Sequence, residues 1–187
     1  MLLVKGVDKM IHNSIRPAED VDRVVNMYGT MIFRICLVIL GNEHDAEDAV
    51  QETFLRFMIK AIYVHDFEHE KAWLIRTATN ICKDMKRYRL RHIHINIDGL
   101  NDYVSQESDI ELFESIMLLP DKYKTVIHLH YIEGYKTEEI ATILKISPET
   151  ARKRLQYARQ KLKLIIEPDD SVPLLDSKLS HIHSVIN

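Results

Sequence analysis

Residues 134–163 read GYKTEEIATILKISPETARKRLQYARQKLK, from Gly134 through Lys163, and the rest of the chain is organised around how they fold. Ile140, Ala141, Ile143 and Leu144 recur at three- and four-residue spacing, the period of a helix with one apolar face. Lys145-Ile146-Ser147 interrupts that pattern as a tight turn, with Ile146 as its apolar plug. Ser147 is a good N-cap, Pro148 suits the first helical position, and Glu149 complements the positive end of the helix dipole. Beyond the turn Ala151, Leu155, Ala158, Leu162 and Ile165 repeat along one face of a second helix. Small Ala151 and Ala158 allow the two helices to approach closely. Arg152, Lys153, Arg154, Arg159, Lys161 and Lys163 occupy the remaining faces, opposed only by Glu149.

A short helix, a tight turn and a basic second helix form the helix-turn-helix pattern, whose second helix enters the major groove of DNA. The bland alternative is an ordinary helical hairpin with a solvated Lys/Arg face. The coincidence of cap, plug and basic face favours DNA. It does not say which sequence is bound.

At 187 residues the chain has room for one domain or two small ones. Its net charge of -3 hides a sharp segregation. Between Asn42 and Glu52 stand Glu43, Asp45, Glu47, Asp48 and Glu52 with no Lys or Arg. Between Lys71 and Arg91 stand Lys71, Arg76, Lys83, Lys86, Arg87, Arg89 and Arg91 against Asp84. Faces of opposite sign suit different partners: nucleic acid for the basic ones, a basic protein surface for the acidic one. Cys36 and Cys82 lie within apolar helical patterns and read as buried thiols in a reducing cytoplasm, not as a disulfide framework. No signal-peptide pattern opens the sequence, and its longest apolar run, Ile35 to Leu40, is too short to span a bilayer. A cytoplasmic protein without membrane insertion is expected. Five glycines, few prolines and almost no period-2 alternation predict an all-α fold.

Residues 1–16 are weakly patterned and read as a lead-in. Pro17 starts a long helix with Val21, Val24, Val25, Tyr28, Ile32, Ile35 and Ile39 as its stripe, capped by Gly41. A second helix is expected from about Asp45 to Tyr63, with Ala49, Val50, Phe54, Phe57, Met58 and Ala61 inward. His65 to Glu70 reads as a polar break containing Phe67. A third helix follows, with Leu74, Thr77, Ala78, Ile81 and Met85 inward. Periodicity collapses between Arg91 and Ser108, which predicts a linker. It resumes at Ile110, Phe113 and Met117, and Pro120 opens a helix stopped by Gly134. Two small helical domains, 17–90 and 109–166, are therefore expected, with 91–108 as a flexible linker between them and 167–187 as a tail.

With these pieces in order, the chain resembles an extracytoplasmic-function sigma factor, the minimal two-domain class of the sigma-70 family of RNA polymerase subunits. LGNEHDAEDAVQETFLRF, Leu40 to Phe57, is similar to the family's core-polymerase-binding helix. KAWLIRTATNICKDMKR, Lys71 to Arg87, is similar to the segment that melts promoters and reads the minus-10 element. Leu119 to Leu162 is similar to the domain that reads the minus-35 element. The three anchors are collinear and cover most of the chain.

Asp48, Gln51 and Glu52 are three and four residues apart and so share one outward face. The resemblance implies that this face meets the clamp helices of the largest subunit of core polymerase. It also implies that Asn80 sits near the flipped minus-10 base, and that the loop containing Phe67 caps its pocket. An amide offers a base edge both a donor and an acceptor. Lys83, Arg87 and Arg89 would hold phosphates of the single strand. Trp73 stands where larger family members place a strand-separating wedge, although Leu74 replaces the second aromatic; a lone Trp on a helix also reads as core. In the second domain Arg152, Lys153, Gln156 and Tyr157 match outward minus-35 positions, and Arg reads guanine by bidentate contact. Thr150 belongs to the same helix face, while Arg154 and Arg159 suit phosphates or the domain itself. Lys145 departs from the family by standing at a frequent turn glycine, with slight strain expected there, and Ala151 replaces the usual valine.

No companion Cys or carboxylate completes a site with His92-x-His94 or His128-x-His130, and residues two apart in a helix diverge, so no metal is expected. No P-loop, Ser/His/Asp set or nucleotide fingerprint is present, so neither a cofactor nor an enzyme is expected. The partners implied are core RNA polymerase, promoter DNA and an anti-sigma factor. Two other functions compete: a free-standing helix-turn-helix regulator, and a helical interaction protein without DNA function.

Overall fold

The computed structural model of the chain describes residues 16–59, 67–91 and 114–166. Every regular element among them is helical: α1 (Ala18–Leu40), α2 (Glu43–Ile59), α3 (Phe67–Arg91), α4 (Asp121–Ile127), α5 (Thr137–Leu144) and α6 (Pro148–Ile166). Residues 114–117 add one helical turn. The expected tail and, apart from Arg16 and Arg91, the expected lead-in and linker lie outside the described residues, as do Ala61, His92 and His94. The described chain falls into two compact units, 16–36 with 44–91 and 37–43 with 114–166.

In the first unit the stripe read from α1 is buried: Val24, Ile32 and Ile35 are inaccessible or nearly so, and Tyr28 is buried as well. Val21 is only half-buried and Val25 is exposed, so the apolar stripe is wider than the face that packs. By length and composition α1 would pass for a membrane-spanning helix, but its Ile-rich face is core within this protein. From α2 come Ala46, Ala49, Phe54 and Phe57; from α3 come Leu74, Ile75, Ala78, Ile81 and Cys82. Val50, Met58, Thr77 and Met85, all expected inward, are half-buried and flank this core. Thr53 and Thr79 are buried without cost because each hydroxyl donates to the carbonyl four residues back, at 2.7 Å. Cys36 and Cys82 are buried free thiols, and the neighbouring Cys82 together with burial pushes the Cys36 pKa far up. Both therefore behave as small core residues.

One polar cluster ties α1 to the start of α3. Arg23 donates to both oxygens of buried Glu70, at 3.2 and 2.9 Å, and to Asp20 at 3.2 and 2.8 Å. Arg23 holds the Asp20 carboxyl below the usual carboxylate range, and Glu70 raises the Arg23 pKa further. The fork-on-carboxylate geometry explains how a glutamate is buried here. It also explains a departure from sequence expectation. In sequence the polar segment ending at Glu70 reads as a break, yet Phe67 already begins α3, because tertiary pairing satisfies Glu70 inside the helix.

In the second unit α6 packs against both α4 and α5. Its inner face is the one expected, with Ala151, Leu155, Ala158 and Leu162 all buried. Ile140, Ala141 and Ile143 of α5 and Val126 and Ile127 of α4 oppose it. The helix opened by Pro120 does not run on as an α-helix. His128–Ile132 is a π-helical turn, with Glu133 N–H donating to the His128 carbonyl at 3.1 Å. Gly134 ends it at φ +72°. Gly41 has φ +82°, a conformation that favours glycine, and a Cβ there would approach the Met117 methyl to 3.2 Å, a tight contact that the flexible methionine would have to relieve.

Candidate DNA and polymerase interfaces

The helix-turn-helix is assembled by three local devices. Glu139 accepts from the Lys136 N–H at 2.6 Å and so starts α5, although Lys136 itself supplies no side-chain cap. At the other end the Lys145 N–H bonds the Thr142 carbonyl at 3.3 Å and the Ile146 N–H bonds the Ala141 carbonyl at 2.9 Å. That pair is a Schellman motif, and it places Lys145 in the left-handed region at φ +52°. Among the described residues Lys145 is the only non-glycine there, so the expected strain is real. Ser147 then caps α6, its Oγ accepting from the Thr150 N–H at 3.1 Å.

Arg152, Lys153 and Gln156 are exposed on the outward face of α6, as expected. Lys153 is braced by Glu149 at 2.7 Å. Thr150 is half-buried, with its hydroxyl 2.8 Å from Ser147 Oγ, which gives it a capping role. Arg154 and Arg159 lie at the flanks, half-buried. The Arg159 guanidinium sits 5.7 Å from the Tyr131 ring centroid, so it faces its own domain. Tyr157 is exposed at its rim yet stacks on Tyr123, with centroids 4.5 Å apart.

On α3, Trp73, Asn80 and Arg87 stand seven residues apart, close to two helical turns, and therefore line one face at steps of about 10 Å. Asn80 and Arg87 are exposed, and Asp84 lies 3.2 Å from Arg87. Trp73 is half-buried with its ring centroid 5.9 Å from that of Phe57, so it serves the core on one side and the stripe on the other. Lys83 flanks the stripe, half-buried. Phe67 does not share it. Phe67 occupies the first turn of α3, 62% exposed, with the Arg23 guanidinium 5.4 Å from its ring centroid.

On α2, Asp48 and Gln51 are exposed and Glu52 is half-buried, bonded to Arg56 at 2.7 Å. Two residues overlooked in the sequence join this face. Leu55 and Ile59 are 45% and 53% exposed, and their spacing of four and eight from Gln51 continues the same stripe. The signal was available as two large apolar residues out of register with Phe54 and Phe57.

His128 and His130 diverge: His128 is buried 3.4 Å from Glu133, while Nδ1 of His130 lies 2.8 Å from the Tyr135 carbonyl. Among the described residues no group of three potential metal ligands converges.

Comparison with known proteins follows the same division. Residues 24–92 match the family model for sigma-70 region 2, and residues 110–162 match that for sigma-70 region 4. The chain is 30% identical to the ECF RNA polymerase sigma factor SigW of Bacillus subtilis, across 84% of this chain and 97% of the relative. It is also 30% identical to SigM of the same organism, across 78% of this chain and 94% of that protein. Its fold is similar to that of the sigma factor RpoE from Bartonella quintana, solved with the anti-sigma factor NepR. The TM-score is 0.69 at 20% identity, over 81% of this chain and 99% of that one. Two matched regions in the expected order, and relatives spanned almost end to end, show that the chain belongs to the extracytoplasmic-function sigma factors of the sigma-70 family.

Proposed function

We propose that the chain binds core RNA polymerase through α2, reads and melts the minus-10 element with α3, and reads the minus-35 element with α6. The observation that carries this reading is the sorting of three outward faces by chemistry along one chain. The α2 face is acidic with uncovered aliphatic residues, which suits a protein partner. The α3 stripe joins an aromatic, an amide and a cation at regular intervals, the means of holding unstacked bases on a phosphate strand. The α6 face presents a capped, basic helix to a groove.

Domains 17–90 and 109–166 divide the labour accordingly. The chemistry of RNA synthesis stays with the core enzyme, and this chain acts in the cytoplasm as a dissociable specificity subunit. Regulation by an anti-sigma factor follows from the class and is supported by the Bartonella complex, whose sigma factor shares this fold. A free-standing repressor or activator would use α6 alone and leave the α2 face and the α3 stripe without a role. Passing the full chain over immobilised core polymerase separates the two. Retention is expected; passage, with specific binding of the free chain to duplex DNA, would replace this reading with the other.

A further inference from the structure

Tyr157 matches a base-reading position, yet its ring is engaged by its own domain. It stacks on Tyr123 of α4 at 4.5 Å with 29° between planes. Each ring carries a lysine: Nζ of Lys122 lies 4.9 Å from the Tyr123 centroid, and Nζ of Lys161 lies 5.6 Å from the Tyr157 centroid. Both lysines are exposed, and among the described residues neither is paired with a carboxylate. Lys153 of the same helix differs, braced by Glu149 at 2.7 Å. Two cations held over stacked rings, neither with a carboxylate partner among the described residues, make a shelf fitted to an external anion.

Its position selects the anion. Lys153, Tyr157 and Lys161 follow one another at four-residue steps along α6 and form one stripe. From Lys153 to Lys161 the helix rises about 12 Å, which is about the width of the major groove. With the first turns of α6 in the groove, the stripe runs out to its phosphate wall. The Tyr123 stack brings Lys122 to that same edge from a different helix.

We propose that Lys122 and Lys161, positioned by the Tyr123–Tyr157 stack, bind backbone phosphates of duplex DNA beside the minus-35 element. The proposal rests on α6 being the recognition helix. Contacts of this kind set register and affinity and carry no sequence information. Tyr157 is accordingly a positioning residue, and base reading falls to Arg152, Lys153 and Gln156.

The test uses holoenzyme reconstituted from core polymerase and the full chain. The probe is a promoter duplex that this holoenzyme selects from fragmented genomic DNA, together with variants changed at each minus-35 base. Affinity is measured against KCl concentration. Lys122→Gln and Lys161→Gln should each flatten the log–log salt slope by about 0.9, and the double variant by about twice that. The loss should be equal on every minus-35 variant. Tyr123→Leu keeps all charges and should also flatten the slope, whereas Tyr123→Phe should match the parent, because stacking does not use the hydroxyl. If the two glutamine variants keep the parent slope while Arg152→Ala loses discrimination at one base, the shelf is wrong and the recognition helix stands. If Arg152→Ala also keeps the parent profile, the recognition-helix reading falls with the shelf.

Discussion

Helices α2 and α6 are built alike on the inside and oppositely on the outside. Each buries a stripe that joins small residues to large apolar ones, Ala46 and Ala49 with Phe54 and Phe57 in one, Ala151 and Ala158 with Leu155 and Leu162 in the other. Outward, α2 offers Asp48, Gln51 and Glu52 followed by exposed Leu55 and Ile59, whereas α6 offers Arg152, Lys153, Gln156 and Lys161 with an aromatic stack. Charge sign alone would separate them, but the uncharged residues are more informative. Uncovered aliphatic side chains gain by leaving water against another apolar surface, as a protein partner provides. Stacked tyrosines under lysines gain little from a flat apolar partner and suit a phosphate wall. One amphipathic plan, with a handful of outward positions changed, thus suits two kinds of partner under the proposed function.

The sharpest way to break this contrast is to invert α2. Asp48→Lys combined with Glu52→Lys should lower affinity for core polymerase by at least about 100-fold, roughly 2.7 kcal/mol, with helical content by circular dichroism unchanged. Leu55→Ser keeps every charge and should still cost about tenfold, since Leu burial is worth about 1.5–3 kcal/mol when complete. An unaltered Leu55→Ser would reduce the α2 face to its carboxylates. On α6, Arg152→Ala should lose about 1–3 kcal/mol of discrimination at one minus-35 base. Binding profiles over promoter variants measure it, and a uniform loss would make Arg152 a phosphate contact.

Asn80 tests the third face. Asn80→Ala should slow open-complex formation about tenfold on duplex promoters while leaving core binding unchanged. The defect should shrink on a template mismatched across the minus-10 element, where the unpairing cost of a few kcal/mol is already removed. Permanganate footprinting on both templates reads this, and equal opening by variant and parent would make Asn80 an ordinary solvated residue. The smallest effect belongs to the turn. Lys145→Gly should stabilise the second unit by up to about 1 kcal/mol, because only glycine enters the left-handed region without strain. Thermal unfolding checks it, and a lower melting temperature would mean that the Lys145 side chain contributes more than its backbone strain removes.

Much of this was legible in sequence, and the failures have physical reasons. The inner face of α6, its Ser147 cap and the strained Lys145 were all readable because helical periodicity and capping are local. The start of α3 at Phe67 was not, because the polarity of Glu70 is cancelled by Arg23, 47 residues away. The π-turn at His128–Ile132 escaped because a shift in hydrogen-bond register leaves the apolar pattern almost intact. Leu55 and Ile59 were missed because an exposed aliphatic residue looks like core until its neighbours are placed. The Tyr123–Tyr157 stack joins residues 34 apart that no helical period relates. The site residues carried over by family resemblance were sorted by the fold. Trp73, Asn80 and Arg87 align, Phe67 stands apart from them, and Thr150 is committed to the cap.

The most direct test of the central claim is transcription from a genomic DNA library by purified core polymerase with and without this chain, with start sites mapped. The account predicts that adding the chain produces discrete new starts sharing sequence elements near minus-35 and minus-10, and that the Asp48→Lys, Glu52→Lys variant produces none. Starts identical with and without the parent chain, or new starts undiminished in that variant, would contradict it.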